Sequence, residues 1–315
     1  MWPYCGERAD NLSQQGHDIL VVPNADWDCI RGCSLGVINV IVFGVGLYAL
    51  GKIGVVFYRT RWYALNFLML FMATLQCLLT SVKYVFVKDQ RLAFSAAYLR
   101  GLQTVLTSAN YAKSAAESDS DPEFFSKYFA PILGMTVMYL SILYLIAVSM
   151  REFDCYHPQW MVMSISQFVI VCLFVVPGLK VMKKLTGAMN ISHEYFDVMN
   201  SHQNEIAQQR RGLAVLLLVN AIGALAQLVL DSWLHSKYSG QTACAIFETA
   251  GEELWRIFLK VLSYDLPVLA TVYVYYWLPR RQFDTQLDIE LPVNGGFDSV
   301  DDAFSAEFLT EEDRA

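Results

Sequence analysis

The chain has 315 residues, is 55% hydrophobic and only 17% charged, and carries a formal net charge of −7. Soluble domains average about 45–50% apolar and about 25% charged residues, so this composition, with a mean hydropathy of +0.35, excludes an ordinary soluble domain and a disordered protein. A nucleic-acid binder would be basic, and this chain is acidic.

The acidity is local. Residues 282–315 hold ten acids, Asp284 to Asp313, against one base, Arg314. Residues 1–281 hold 22 bases and 20 acids, which leaves that body close to neutral.

Residues 1–32 contain no apolar h-region of a secretory signal, so the first span is expected to insert by itself. Arg31 lies before it, whereas Lys52, Arg59 and Arg61 lie toward its far end. Basic residues favour the cytoplasmic side, so the N-terminus is predicted outside or lumenal. Asn11-Leu12-Ser13 is then a candidate glycosylation site.

A membrane helix needs about 20 mostly apolar residues to cross about 30 Å of hydrocarbon. Six segments meet this: 33–58, 62–87, 130–150, 160–182, 212–233 and 255–278. A weaker one, 92–112, contains Arg100, Gln103 and Asn110. Charge asymmetry decides its fate. With seven spans, Arg59 and Arg61, the Lys180–Arg211 cluster, and Arg280 with Arg281 all face the cytoplasm. With six, the 183–211 loop and the tail would fall outside. The expectation is an all-α, polytopic integral membrane protein. Seven transmembrane helices occupy 33–281, and the acidic tail 282–315 is disordered and cytoplasmic. The polar residues of the third span then face the bundle interior. Trp62, Trp160, Trp233, Trp255 and Trp277 mark span ends at headgroup level.

Under this topology Cys5, Cys29, Cys155 and Cys244 lie outside and Cys33 sits at the outer end of the first span. These five are candidate disulfide cysteines, an odd set whose connectivity the sequence does not reveal. Cys77 and Cys172 lie within spans. The five histidines fall in loops or at helix edges, so no ligand set for a metal converges. Tyr264-Asp265 has no GxGD partner for an aspartyl protease, the middle of the last span has no lysine for retinal, and no Walker or dinucleotide glycine motif is present. The reading is a non-enzyme with no catalytic residues, metal or cofactor. The D/E-R-Y and N-P-x-x-Y motifs of rhodopsin-like receptors are absent too.

Asp265 falls near the centre of the last span. A charge there costs at least ~2.5–3.5 kcal/mol, and Pro267 removes a backbone donor two residues later. Candidate partners are Asn39, Asn66, Gln76, Gln103, Asn220 and Gln227. The cluster is either a polar clasp holding the last helix or a ligand, ion or proton site. Gly44, Gly46, Gly51 and Gly54 allow close helix approach in the first span. Lys52 and Lys83 are expected to snorkel.

Asp265-Leu266-Pro267, the apolar run after it, and the exit Leu278-Pro279-Arg280-Arg281 resemble the tobamovirus multiplication protein family of plants. That family groups with orphan-receptor-like lysosomal membrane proteins of animals. The short basic turn Tyr58-Arg59-Thr60-Arg61, and Gly178-Leu179-Lys180 with Lys183-Lys184, are similar. The chain departs from the pattern in its more polar third span, in having no base between Gly212 and Asp231, and in its acidic tail. The resemblance implies a seven-helix scaffold or receptor-like protein of vacuolar, endosomal or lysosomal membranes. It would recruit cytosolic partners, such as a small GTPase or G protein, here through loop 183–211 and tail 282–315. Competing readings are an atypical G-protein-coupled receptor with a ligand in the bundle, at the plasma membrane, and a small-solute or ion transporter.

Overall fold

The computed structural model describes residues 25–60, 64–87, 89–118, 127, 129–151, 153, 157–192, 200–238 and 250–279. Asn11, Cys5, Cys155, Cys244, Trp62 and the tail 282–315 lie outside the described residues. Among those described there is no strand. The helices are α1 (Ala25–Thr60), α2 (Ala64–Val85), α3 (Gln90–Ser118), α4 (Ala130–Ser149), α5 (Pro158–Ser192), α6 (Asn200–Tyr238) and a compound α7. The last runs α-helical over Ala250–Lys260, π-helical over Val261–Asp265, α-helical over Leu266–Val272 and π-helical over Tyr273–Trp277.

Six of these helices are long and apolar enough to cross a membrane, and the architecture is that of a multi-pass membrane protein. The exception is α3. Its surroundings explain its polarity: it packs against α2, α4 and α5, so protein rather than lipid meets its polar face. Arg100, Thr104, Thr107 and Ser108 are all buried, on a helix that also buries Phe94, Ala96, Ala97 and Val105. At the other extreme stands α4. It buries Leu140, Leu143 and Ala147 and exposes Met135, Met138, Ile142, Leu145 and Ile146, the surface a hydrocarbon solvent requires.

Three helices meet around an aromatic knot. The Phe94 ring lies 5.0 Å from both Phe153 and Trp160, edge-on to each, an arrangement favoured by the ring quadrupole. Tyr98 stacks on Tyr144 at 4.5 Å and bonds Ser141 through its hydroxyl at 2.9 Å. Trp160, expected at a headgroup boundary, is therefore a core residue; Trp255 and Trp277 are exposed at opposite ends of α7. Arg91 of α3 caps the end of α4, donating to the Met150 carbonyl at 2.6 Å and that of Arg151 at 2.9 Å.

Several expected boundaries shift. Helix α1 begins at Ala25, inside the expected N-terminal segment 1–32, and its added length carries Arg31 into a buried pairing with Glu253. The connection 183–211, a stretch that can extend the adjoining helices, does so: α5 runs on to Ser192 and α6 starts at Asn200. Cys29 is disulfide-bonded to a partner outside the described residues, whereas Cys33, one helical turn deeper, keeps its thiol.

Of the α1 glycines, Gly46 is the one pressed against α2. A Cβ there would lie 2.9 Å from the Thr74 hydroxyl, itself tied to the Leu70 carbonyl at 2.7 Å. Gly44 and Gly51 face open space. Gly46→Val should cost about 1–3 kcal/mol by overpacking, while Gly44→Ala should cost nothing. Thermal unfolding of the two detergent-solubilised variants checks this contrast.

Candidate functional site

The site begins with a missing hydrogen. Pro267 has no N–H to donate to the carbonyl of Ser263, four residues earlier. Helix α7 widens there into its first π segment, and the Leu266 N–H reaches back to the Val261 carbonyl. A buried carbonyl needs a partner. Arg100 of α3 supplies it, its Nη1 donating to the Ser263 carbonyl. Room for the guanidinium comes from Gly223 of α6, where a Cβ would stand 2.6 Å from Arg100 Nη2 and 2.9 Å from the Pro267 ring.

Further along, side-chain amides tie α7 to its neighbours. Gln103 Nε2 donates to Thr271 Oγ1 at 2.9 Å and its carbonyl accepts from Gln76 Nε2 at 2.7 Å. Asn66 Nδ2 donates to the Tyr275 carbonyl at 3.2 Å. These bonds do the work of a clasp, and Asp265 takes no part in them. It is 2% exposed, and neither carboxylate oxygen accepts a hydrogen bond.

Asp265 instead lines a cavity of about 10 Å³ with Asn39, Thr80, Tyr84, Lys260 and Tyr264, room for one water molecule at ~10–15 Å³. Asn39 and Thr80 both line it, the Thr80 hydroxyl donating to Asn39 Oδ1 at 2.5 Å. Asn39 is thus the one expected partner that shares Asp265's cavity, and it does so without bonding it. Gln76, Gln103 and Asn66 serve the clasp. Asn220 turns back to the Leu216 carbonyl of its own helix at 2.9 Å. Gln227 bonds a different acid, Asp231, at 2.6 Å.

Sharing Leu35, Tyr84 and Lys260 with that space is a second cavity of about 40 Å³. Four cationic side chains line it: Arg31 of α1, Lys83 of α2, and Arg256 and Lys260 of α7. Asp231 of α6 is its one lining carboxylate, and it accepts from Ser164 as well as Gln227. Arg31 is paired with buried Glu253 through Nη1, at 2.6 and 2.8 Å to the two oxygens. Lys83 is 5% exposed and donates to Gln90 at 2.7 Å, so it does not snorkel. Lys260 lies 4.8 Å from the Tyr264 ring centre and 5.8 Å from that of Trp160, within reach of cation–π attraction.

Asp231, Arg256 and Lys260 are hard to single out in the sequence because each lies within about two turns of a span end, where lipid-facing and bundle-facing side chains look alike. One signal was available: Arg256 and Lys260, like Gln227 and Asp231, are four apart and share a helix face. Among the described residues no group of histidine, cysteine and acidic side chains could hold a metal ion. No family model, curated protein or solved structure matches this chain.

Two outcomes follow from the bonding pattern. Asp265→Asn should leave the unfolding midpoint unchanged or raised, because no bond is lost, while Arg100→Met should cost about 1–3 kcal/mol by orphaning the Ser263 carbonyl. Glu253→Gln should destabilise by about 3–5 kcal/mol, and replacing Arg31 and Glu253 together with methionines should recover most of that loss. Thermal or denaturant unfolding of the variants in detergent reads both.

Proposed function

We propose that this chain is a seven-helix, receptor-like membrane protein that binds a small ligand inside its bundle and holds cytosolic partners at its cytoplasmic face. In this reading α3 is the seventh span, the N-terminus is outside or lumenal, and the acidic tail lies in the cytoplasm. The observation that carries it is the polar cavity between α1, α2, α3, α5, α6 and α7, whose lining includes Arg31, Lys83, Asp231, Arg256 and Lys260. Charges within spans are costly and mark ligand or ion sites more often than packing sites. The clasp around Pro267 supports the same reading, because a helix interrupted beside a cavity is an element whose bend a ligand can bias.

Partners would dock on the helical extensions around 183–211 and on tail 282–315, with a small GTPase or G protein as the class implied by the family resemblance. An endosomal, vacuolar or lysosomal membrane, and glycosylation at Asn11, belong to the same proposal. A pure scaffold is the second reading; the cavity weighs against it, because a scaffold has no use for buried charges far from its docking face.

A glycosylation-reporter and protease-protection map tests the frame. Reporters before residue 25 should be modified, and reporters after residue 282 should stay unmodified and protease-accessible from the cytosol. Tail reporters modified in the lumen would sink the seven-span reading. Co-reconstitution of the full chain with heterotrimeric G protein in nanodiscs tests signalling: nucleotide exchange should exceed that of empty discs, and equality would count against the receptor.

A further inference from the structure

At the end of the bundle away from Arg31 and Glu253, α5 and α6 carry bases that no protein group answers. The apolar stretch of α5 ends at Lys180 and that of α6 begins at Arg210. The two helices run antiparallel and in contact. A Cβ on Gly178 would lie 2.9 Å from the Leu217 side chain, and Met182 packs against the cluster of Phe174, Leu213 and Leu217. Lys180 and Lys183 of α5 therefore share one end of the bundle with Arg210 and Arg211 of α6. Arg210 is half-buried and the other three are exposed. Among the described residues none of the four makes a hydrogen bond or an ion pair. No described carboxylate stands at this end either: Asp89, Asp231, Glu252 and Glu253 lie at the opposite end, and Asp265 lies within the bundle.

The helix faces on which these bases lie show what they meet. Val162, Ile165, Val169, Leu173 and Val176 form one exposed stripe along α5. Lys180 and Lys183 continue it, four and seven residues beyond Val176. On α6 the exposed stripe Leu218, Ile222, Leu225 and Val229 continues back to Arg211, seven residues before Leu218. Each stripe is apolar along the span and basic at this end, the profile of acyl chain followed by headgroup. Both helices continue past the bases, α5 to Ser192 and α6 from Asn200, so the bases stand on helix and not on a loop.

We propose that this end of α5 and α6 is a binding site for anionic phospholipids. Lys180, Lys183, Arg210 and Arg211 hold the headgroup phosphates, and the apolar stripes hold the acyl chains. An arginine fork matches two phosphate oxygens, and a lysine adds a point charge. Four bases beside a span are enough to select serine- or inositol-bearing headgroups over neutral ones. Lipid held there fixes the level at which the extensions of α5 and α6 leave the membrane.

The test is native mass spectrometry of the full chain in a neutral detergent. It is titrated with dioctanoyl phosphatidylserine, dioctanoyl phosphatidylinositol 4-phosphate, dioctanoyl phosphatidylcholine and free inositol 1,4-bisphosphate. Both anionic lipids should bind about tenfold or more tighter than phosphatidylcholine and than the free inositol phosphate. The double variants Lys180→Gln with Lys183→Gln, and Arg210→Gln with Arg211→Gln, should each weaken anionic-lipid binding about 25-fold, at about fivefold per base. Lys237→Gln, at the opposite end, should leave it unchanged. Thermal unfolding in the same detergent reports whether each variant has folded. Equal affinity of the wild-type chain for phosphatidylserine and phosphatidylcholine overturns the proposal, as does undiminished binding in either folded double variant. Free inositol phosphate bound as tightly as its lipid overturns it too, because the occupant would then be a soluble anion.

Discussion

One unsatisfied carbonyl organises much of this molecule. Pro267 cannot donate to Ser263, and a bare carbonyl in an apolar interior costs as much as a lost hydrogen bond. The chain answers with a guanidinium from another helix. That choice propagates. Arg100 must lie on a helix that touches no lipid on that side, so α3 sits among α2, α4 and α5. Its neighbour α6 must present no side chain at the crossing, so residue 223 is glycine. The polarity of α3, the closeness of α6 and the π turn of α7 have a single origin.

The end of the bundle around Arg31 and Glu253 follows a different rule. There the ion pair Arg31–Glu253 joins α1 to α7, Lys83 ties α2 to Gln90 of α3, and Asp231 of α6 accepts from Ser164 of α5, all around a small void. Buried ion pairs add specificity more dependably than stability, and this one closes the first helix against the last. Aromatic packing about Phe94 does the corresponding work among α3, α4 and α5, and shares Trp160 with the cavity wall.

Much of the helix pattern could be read from the residues, because six segments carry the continuous apolar runs that a bilayer demands. The third segment is expected to span on charge asymmetry alone; it is a helix, and its apolar content is that of a helix surrounded by protein. Asp265 and Pro267 stood out for a sound reason, as an acid and a helix breaker in an apolar stretch. Which polar group answered them did not: the amides of Asn66, Gln76 and Gln103 went to backbone and hydroxyl partners, and an arginine reached the break instead. Such pairings depend on helix rotation and on crossings like that at Gly223, which hydropathy does not encode. Lys83 illustrates the same limit, since one rotation would carry it to the headgroups and another carries it, as here, to Gln90.

The length of α6 has a mechanical meaning. Its 39 residues outrun the apolar stretch Arg210–Lys237 by ten residues at the N-terminal end. At 1.5 Å per residue, Asn200 stands about 35 Å from Gly223 along the axis. Gly223 is where α6 rests against the Pro267 break, so it is the natural fulcrum. A tilt of about 5° there would swing the Asn200 end by about 3 Å on a rod of that length. The helix is a lever whose short arm touches the cavity wall at Asp231 and whose long arm ends at Asn200.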